Sequence, residues 1–225
     1  MVDWTSIWVS VRLSAATTGV LLLAGIPIAY WVAFSNWRWK FLVEAVVALP
    51  LVLPPTVLGF YILIAIGPAS PFGRWYATVA GRGLPFSFQG LLVASVLYSL
   101  PFSVQPFAAA FGGVDRQLIE SSWSLGVSRA ATFVRVVFPL SLPGIVTGMV
   151  LSFAHTLGEF GVVLMVGGNL PGVTRTVSIS IYDAVQALDY ATAWRTSLLL
   201  LALSFVMLAI TYSLQRSFRD LWLIG

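Results

Sequence analysis

The chain has 225 residues, 59% of them apolar and only 9% charged, with no cysteine and a formal net charge of +4. Soluble domains carry about 25% Asp, Glu, Lys and Arg, and a mean hydropathy of +0.94 means more apolar surface than a fold of this size can hide from water. The composition therefore calls for membrane lipid as solvent; it excludes disulfides, thiolate metal sites and thiol nucleophiles, and its scattered Lys and Arg give no basic run to follow a nucleic acid.

A bilayer-spanning helix needs about 20 mostly apolar residues. The first expected span is 11–34. What precedes it does not read as a signal peptide, because the first charge is Asp3, the apolar stretch is too long and no small-residue cleavage site follows. This helix is expected to be retained. Pro27 interrupts it. The second span, 42–66, has Pro50, Pro54 and Pro55 near its start, where missing donors and ring clashes should kink or unwind the helix. Irregular backbone at membrane depth must be satisfied by protein or by a water-filled cavity. Pro54 and Pro55 therefore mark either a packing kink or a wall of a substrate path.

The remaining expected spans are 89–111, 143–166 and 195–215, joined by polar or Gly- and Pro-rich connections at 67–88, 112–142 and 167–194. Val177–Tyr190 is too short to span, and Asp183 and Asp189 would each cost about 2.5–3.5 kcal/mol at a helix centre. It reads as an amphipathic segment lying at the surface or dipping partway in. Five spans put the termini on opposite faces. Arg38, Lys40, Arg116, Arg129, Arg135, Arg216 and Arg219 then share one side, and Arg12, Arg74, Arg82, Arg175 and Arg195 the other. The larger set is assigned to the cytoplasm, with the N-terminus extracytoplasmic and the C-terminus cytoplasmic. Trp4, Trp8, Trp31, Trp37, Trp39, Trp75, Trp194 and Trp222 fall near segment ends, as an interfacial aromatic belt requires. The whole of 1–225 reads as a single transmembrane domain.

The connection 112–142 has structure of its own. Asp115 is placed to cap a short helix, and Gly126 sits where a left-handed residue ends one. Leu118, Ile119, Ser122 and Trp123 share a face at helical spacing. Ser128 is placed to cap a second short helix running to Pro139. Two short helices turning at a glycine make a rigid cytoplasmic knob, and a connection this long is usually functional.

The series Glu120-Ser121-Ser122-x₃-Gly126, nine residues, then Val136-x-Phe138-Pro139 resembles the EAA loop of ABC-importer permeases, Glu-Ala-Ala-x₃-Gly-x₉-Ile-x-Leu-Pro. Ser121 and Ser122 replace alanines but stay small, and Val136 and Phe138 stay apolar. Three longer stretches, Leu49–Phe60, Tyr98–Asp115 and Phe153–Asp183, are similar to the permeases of molybdate importers, with sulfate and tungstate permeases as near relatives. The resemblance implies an all-α type I importer permease bundle in the cell inner membrane. It implies a homodimer, two copies of a separate ATPase docking at Glu120, Ser121, Ser122, Gly126, Arg129 and Pro139, and an extracytoplasmic oxyanion-binding protein. It also implies that this chain lacks the extra N-terminal helix of some relatives. The chain's sole lysine, Lys40, follows Trp39, so no phosphate loop of the G-x-x-x-x-G-K-[ST] type is present. The chain is expected not to be an enzyme and to need no cofactor or metal.

His155 and Glu159 are the ionisable pair of the fourth span. Four residues apart on a helix, they are expected to share a face and to hydrogen-bond, as a structural pair, a gate or pathway position, or a proton relay. Gly158 and Gly161 would allow close helix approach there. A negative Glu159 would repel a dianion, so it is not read as a ligand. The extracytoplasmic arginines are solvated or contact lipid headgroups, or else dock the binding protein, with Arg175 and then Arg74 favoured for docking. A self-contained channel or secondary transporter would need more coupling groups in its spans. An intramembrane hydrolase would need a nucleophile motif around His155.

Overall fold

The structure, a computed structural model, describes the backbone of residues 2–223 and the side chains of residues 2–213. The expected roles of Arg216, Arg219 and Trp222 fall outside those side chains. Every regular element among the described residues is helical. Among the described residues four helical stretches are long and apolar enough to cross a membrane, Trp4–Phe34, Phe88–Gly112, Arg129–Gly158 and Tyr190–Ser213, and a bent pair, Lys40–Val52 with Pro55–Ile66, makes a fifth if it counts as one span.

The first is α1 (Trp4–Phe34), capped by Asp3, whose carboxylate accepts from the Thr5 and Ser6 N–H groups, and it continues through Pro27. The expected second span is two helices, α2 (Lys40–Val52) and α3 (Pro55–Ile66), bent by 115° at Leu53 and Pro54. Proline forces the residue before it into extended backbone, and Leu53 takes ψ 136° ahead of Pro54. Pro55 then begins α3, where a missing N–H costs nothing. The short α4 (Pro71–Ala80) leads into α5 (Phe88–Gly112), which is capped by Ser87 and carries Pro101 and Pro106 within it.

After α6 (Arg116–Ser124) and α7 (Arg129–Thr132), a π-helical turn at Phe133–Val137 runs without interruption into α8 (Phe138–Gly158). The expected start of the fourth span at 143 is thus too late, and its end at 166 too far, because the helix stops at Gly158. After a break comes α9 (Gly161–Gly167). The expected amphipathic segment is α10 (Val177–Gln186), held against α1 by a 2.8 Å bond from the Val177 N–H to Ser10 Oγ. It dips into the bundle, with Val177 and Ile179 buried. Helix α11 begins at Tyr190.

The centre of the bundle is α1, α5 and α8 packed on one another. Phe107 of α5 is fully buried where the three meet. A Cβ on Gly148 of α8 would lie 2.6 Å from its ring, and one on Gly25 of α1 3.3 Å away, so two glycines make room for one aromatic side chain. Without a hydrophobic drive between helices in lipid, such small residues supply the close packing.

A projecting knob and a polar seam

The knob at 112–142 forms much as its residues require. Asp115 Oδ1 accepts the Gln117 N–H at 2.8 Å and starts α6. Gly126, at φ +80°, ends it in a Schellman motif: the Gly126 N–H donates to Trp123 O at 2.9 Å and the Val127 N–H to Ser122 O at 3.1 Å. Ser128 Oγ accepts the Ala131 N–H to start α7. The two arms are tied by a 2.9 Å bond between the Ser122 and Thr132 hydroxyls. Ile119 anchors the knob in a cluster with Phe111, Val114 and Val137, and Phe133 packs edge-on against Tyr30 of α1 at 5.0 Å.

The shared face of α6 is divided: Ile119 is buried, while Leu118 and Trp123 are exposed, Trp123 lying under the Arg129 guanidinium at 5.4 Å. One expectation needs correction, because the second arm does not end at Pro139. The Phe138 N–H reaches back five residues to Phe133 O, and this wide turn accommodates a ring with no N–H. From Arg129 to Gly158 the knob and the membrane helix are one continuous rod. Glu120, Ser121, Gly126, Arg129 and Pro139 are all exposed, with Ser122 half-buried. Beside them Tyr30, Asn36, Arg116, Glu120, Trp123 and Arg129 line a recess of about 320 Å³.

Inside the bundle His155 and Glu159 are close in sequence but do not bond to each other. The helix ends at Gly158, and Glu159 sits in extended backbone at ψ 135°, so the four-residue face relation is lost. Each finds its own serine on α5 instead. Ser95 Oγ donates to Glu159 Oε2 at 2.8 Å, and Ser99 Oγ lies 2.9 Å from His155 Nδ1 and 2.9 Å from Thr156 Oγ1. Glu159 is 3% exposed, and its Oε1 has no hydrogen-bond partner among the described residues. The His155 ring stacks on Phe102 at 3.9 Å and meets Tyr98 at 4.6 Å. Among the described residues no three acidic or imidazole side chains come together to hold a metal.

Gly161 does permit close approach, since a Cβ there would lie 2.8 Å from Pro55 Cβ; a Cβ on Gly158 would meet nothing within 4 Å among the described residues, so its lack of a side chain is not what lets helices approach there. The break between α8 and α9 therefore touches the break between α2 and α3. Both Pro54 and Pro55 are exposed on the chain.

At the opposite end from the knob, Arg175 is already engaged. Its guanidinium lies 3.3 Å from Asp183 Oδ2 and donates to Asn169 Oδ1 at 2.6 Å, while Asn169 Nδ2 donates to Asp183 Oδ2 at 2.7 Å. Arg74, on α4, is exposed. Asp189, the residue before α11, accepts the Thr192 N–H at 3.1 Å, and hydrogen bonding from Thr192 holds its carboxyl below the usual range.

Sequence reasoning passed over Ser95 and Ser99, and with them Ser6, Ser10 and Ser14 of α1, all buried. Their signal was present: hydroxyls at four-residue spacing in apolar helices trace one inward stripe.

A family model described as "binding-protein-dependent transport system inner membrane component" matches residues 25–220. The chain is 48% identical over 214 residues to the molybdenum transport system permease protein ModB of Azotobacter vinelandii, covering 95% of each chain. It is 33% identical over 219 residues to the ModB of Escherichia coli K12, covering 97% of this chain and 96% of that one. Its fold matches a chain of the MetNI methionine ABC transporter in an inward-facing conformation, with a TM-score of 0.74 at 16% identity over 96% of this chain and 95% of the other.

Proposed function

The chain belongs to the family of binding-protein-dependent transport system inner membrane components, and on that premise we propose that it is the permease subunit of an ATP-driven importer of molybdate. The two molybdenum permeases align with it over nearly their whole lengths. The observation that carries the mechanism is the unbroken rod from Arg129 to Gly158. A knob fixed to such a rod cannot move without tilting the membrane helix behind it.

In this reading a second copy of the chain completes the pathway, and each copy docks one ATPase subunit on the exposed side of α6, at Glu120, Ser121 and Gly126, with Arg129 and Pro139 on the following arm. ATP binding draws the ATPases together and rocks the rods, the rigid-body form such transitions usually take. The nucleotide site belongs to the ATPase subunit, so this chain performs no covalent chemistry. The knob faces the cytoplasm, the N-terminus lies outside and the C-terminus inside. The loaded binding protein docks at the other end, near Arg74 and Arg175. Of these two, Arg74 is exposed and makes no ion pair among the described residues, whereas Arg175 would have to exchange Asp183 for its partner.

The test is ATP hydrolysis by this chain reconstituted in vesicles with its ATPase and binding protein, titrated separately with molybdate, tungstate and sulfate. Stimulation by molybdate-loaded binding protein, lost on Glu120→Lys, is the expected result. Full stimulation in that variant would overturn the docking assignment, and a preference for tungstate or sulfate would change the cargo.

A further inference from the structure

A tetrahedral oxyanion offers only acceptors at neutral pH, so groups that touch it in transit must donate hydrogen bonds or carry positive charge. The chain has no Lys or Arg between Arg82 and Arg116, nor between Arg135 and Arg175. Helices α5 and α9, and α8 throughout, therefore lack a fixed cation. His155 is the donor best prepared on these helices, because its ring sits in a built cradle. Phe102 lies almost flat against it, at 22°, and Tyr98 closes a second side.

The hydroxyls around the ring fix its tautomer. Thr156 Oγ1 and Ser99 Oγ are buried, and among the described residues the only side-chain partner of Thr156 is Ser99. If the Nδ1 proton pointed at Ser99, Ser99 would donate to Thr156, and the Thr156 proton would be left without an acceptor. The other direction satisfies every proton: Thr156 donates to Ser99, Ser99 donates to Nδ1, and the imidazole carries its hydrogen on Nε2. Nδ1 faces the buried serine, whereas His155 as a residue is half-buried. Among the described residues its Nε2 has no hydrogen-bond partner, and it is not one of the enclosed polar atoms that lack one. It opens onto the surface of the bundle.

We propose that His155 donates a hydrogen bond from Nε2 to the oxyanion as it crosses the membrane, with Ser99 as the positioning residue that holds the imidazole in the donating tautomer. The inference rests on the permease reading. A neutral donor suits transit better than an arginine would, since passage requires contacts weak enough to release the anion. The second copy supplies the same donor, so the anion meets two.

Molybdate uptake into vesicles holding the complete transporter, measured beside ATP hydrolysis, tests this. His155→Leu keeps the bulk and removes the donor. It should lower uptake about tenfold, as loss of a hydrogen bond to a charged group implies, with hydrolysis stimulated by loaded binding protein retained. His155→Gln, which still offers an N–H, should stay within about threefold of the parent. Ser99→Ala should cost about threefold in the parent and nothing further in the His155→Gln background, where there is no tautomer to hold. Unchanged uptake in His155→Leu overturns the proposal, as does a Ser99→Ala loss that persists beside His155→Gln. If His155→Leu fails to assemble, the Ser99 pair of measurements decides alone. A parent complex that hydrolyses ATP but imports none of the three oxyanions refutes the permease reading itself.

Discussion

Gly126 is the sharpest place to test whether the ATPase reads the shape of the knob. At φ +80° an L-residue pays about 1–2 kcal/mol in the left-handed region, and a Cβ there has nothing within 4 Å. The effect of Gly126→Ala is therefore conformational alone. A folded-knob population reduced by that energy weakens docking by at most about 5–30-fold, because apparent affinity falls with the competent fraction. Asn tolerates this region better than Ala, so Gly126→Asn should lie between the two. Gly126→Pro is of another kind. It removes the N–H that donates to Trp123 O, and its ring locks φ near −65°, so the Schellman motif cannot form. The assay is the affinity of purified ATPase for each variant in detergent micelles, with helix content by circular dichroism as a check on the bundle. The expected order is Gly, Asn, Ala, then Pro with no measurable binding. Parent-like affinity in Gly126→Pro, or Asn weaker than Ala, would refute the argument.

Other substitutions probe the bundle and its far end. Gly148→Ala drives a methyl to 2.6 Å from the Phe107 ring and should destabilise by about 1–3 kcal/mol, read as a lowered Tm; Gly158→Ala, with open space around it, should leave Tm unchanged. Ser95→Ala takes away the donor to Glu159 Oε2 and should cost about 1–3 kcal/mol. Most of that penalty should vanish in a Glu159→Met background, and persistence there would mean Ser95 acts through packing alone. Arg175→Glu breaks a partly exposed pair worth no more than about 1 kcal/mol, so Tm should barely move. Hydrolysis stimulated by binding protein should fall, and an unaltered response would remove Arg175 from the docking surface.

The local chemistry of the knob was legible because caps and left-handed glycines act within a few residues. Asp115, Gly126 and Ser128 each do what their type and position imply. Span existence was legible for the same reason that hydropathy is additive along a chain. What escaped was decided between helices. The 115° bend follows from Pro54 and Pro55, but its meeting with Gly161 depends on a contact across about a hundred residues of sequence. The pairing of His155 with Glu159 failed because a helix end at Gly158 cancels the helical face relation. Their true partners on α5 were serines that any apolar helix tolerates. The rod through Pro139 was missed because a proline normally signals a stop, and only the π-helical turn removes the clash.

The bend between α2 and α3 also bears on how the chain enters the bilayer. Neither half, at 13 and 12 residues, is long enough to be retained in the membrane as a span of its own. Helix α3 lies chiefly against α9, where a Cβ on Gly59 would meet Met165 and Val162. At synthesis rates of about 5–20 residues per second, α9 emerges roughly 5–20 s after α3. For that interval the ribosome has delivered an apolar half-helix whose lasting neighbour does not yet exist. The insertion machinery, or the lipid interface beside it, must shelter α3 until Gly161–Gly167 arrives. Truncations ending before α9 should accordingly be recognised as unfinished and degraded.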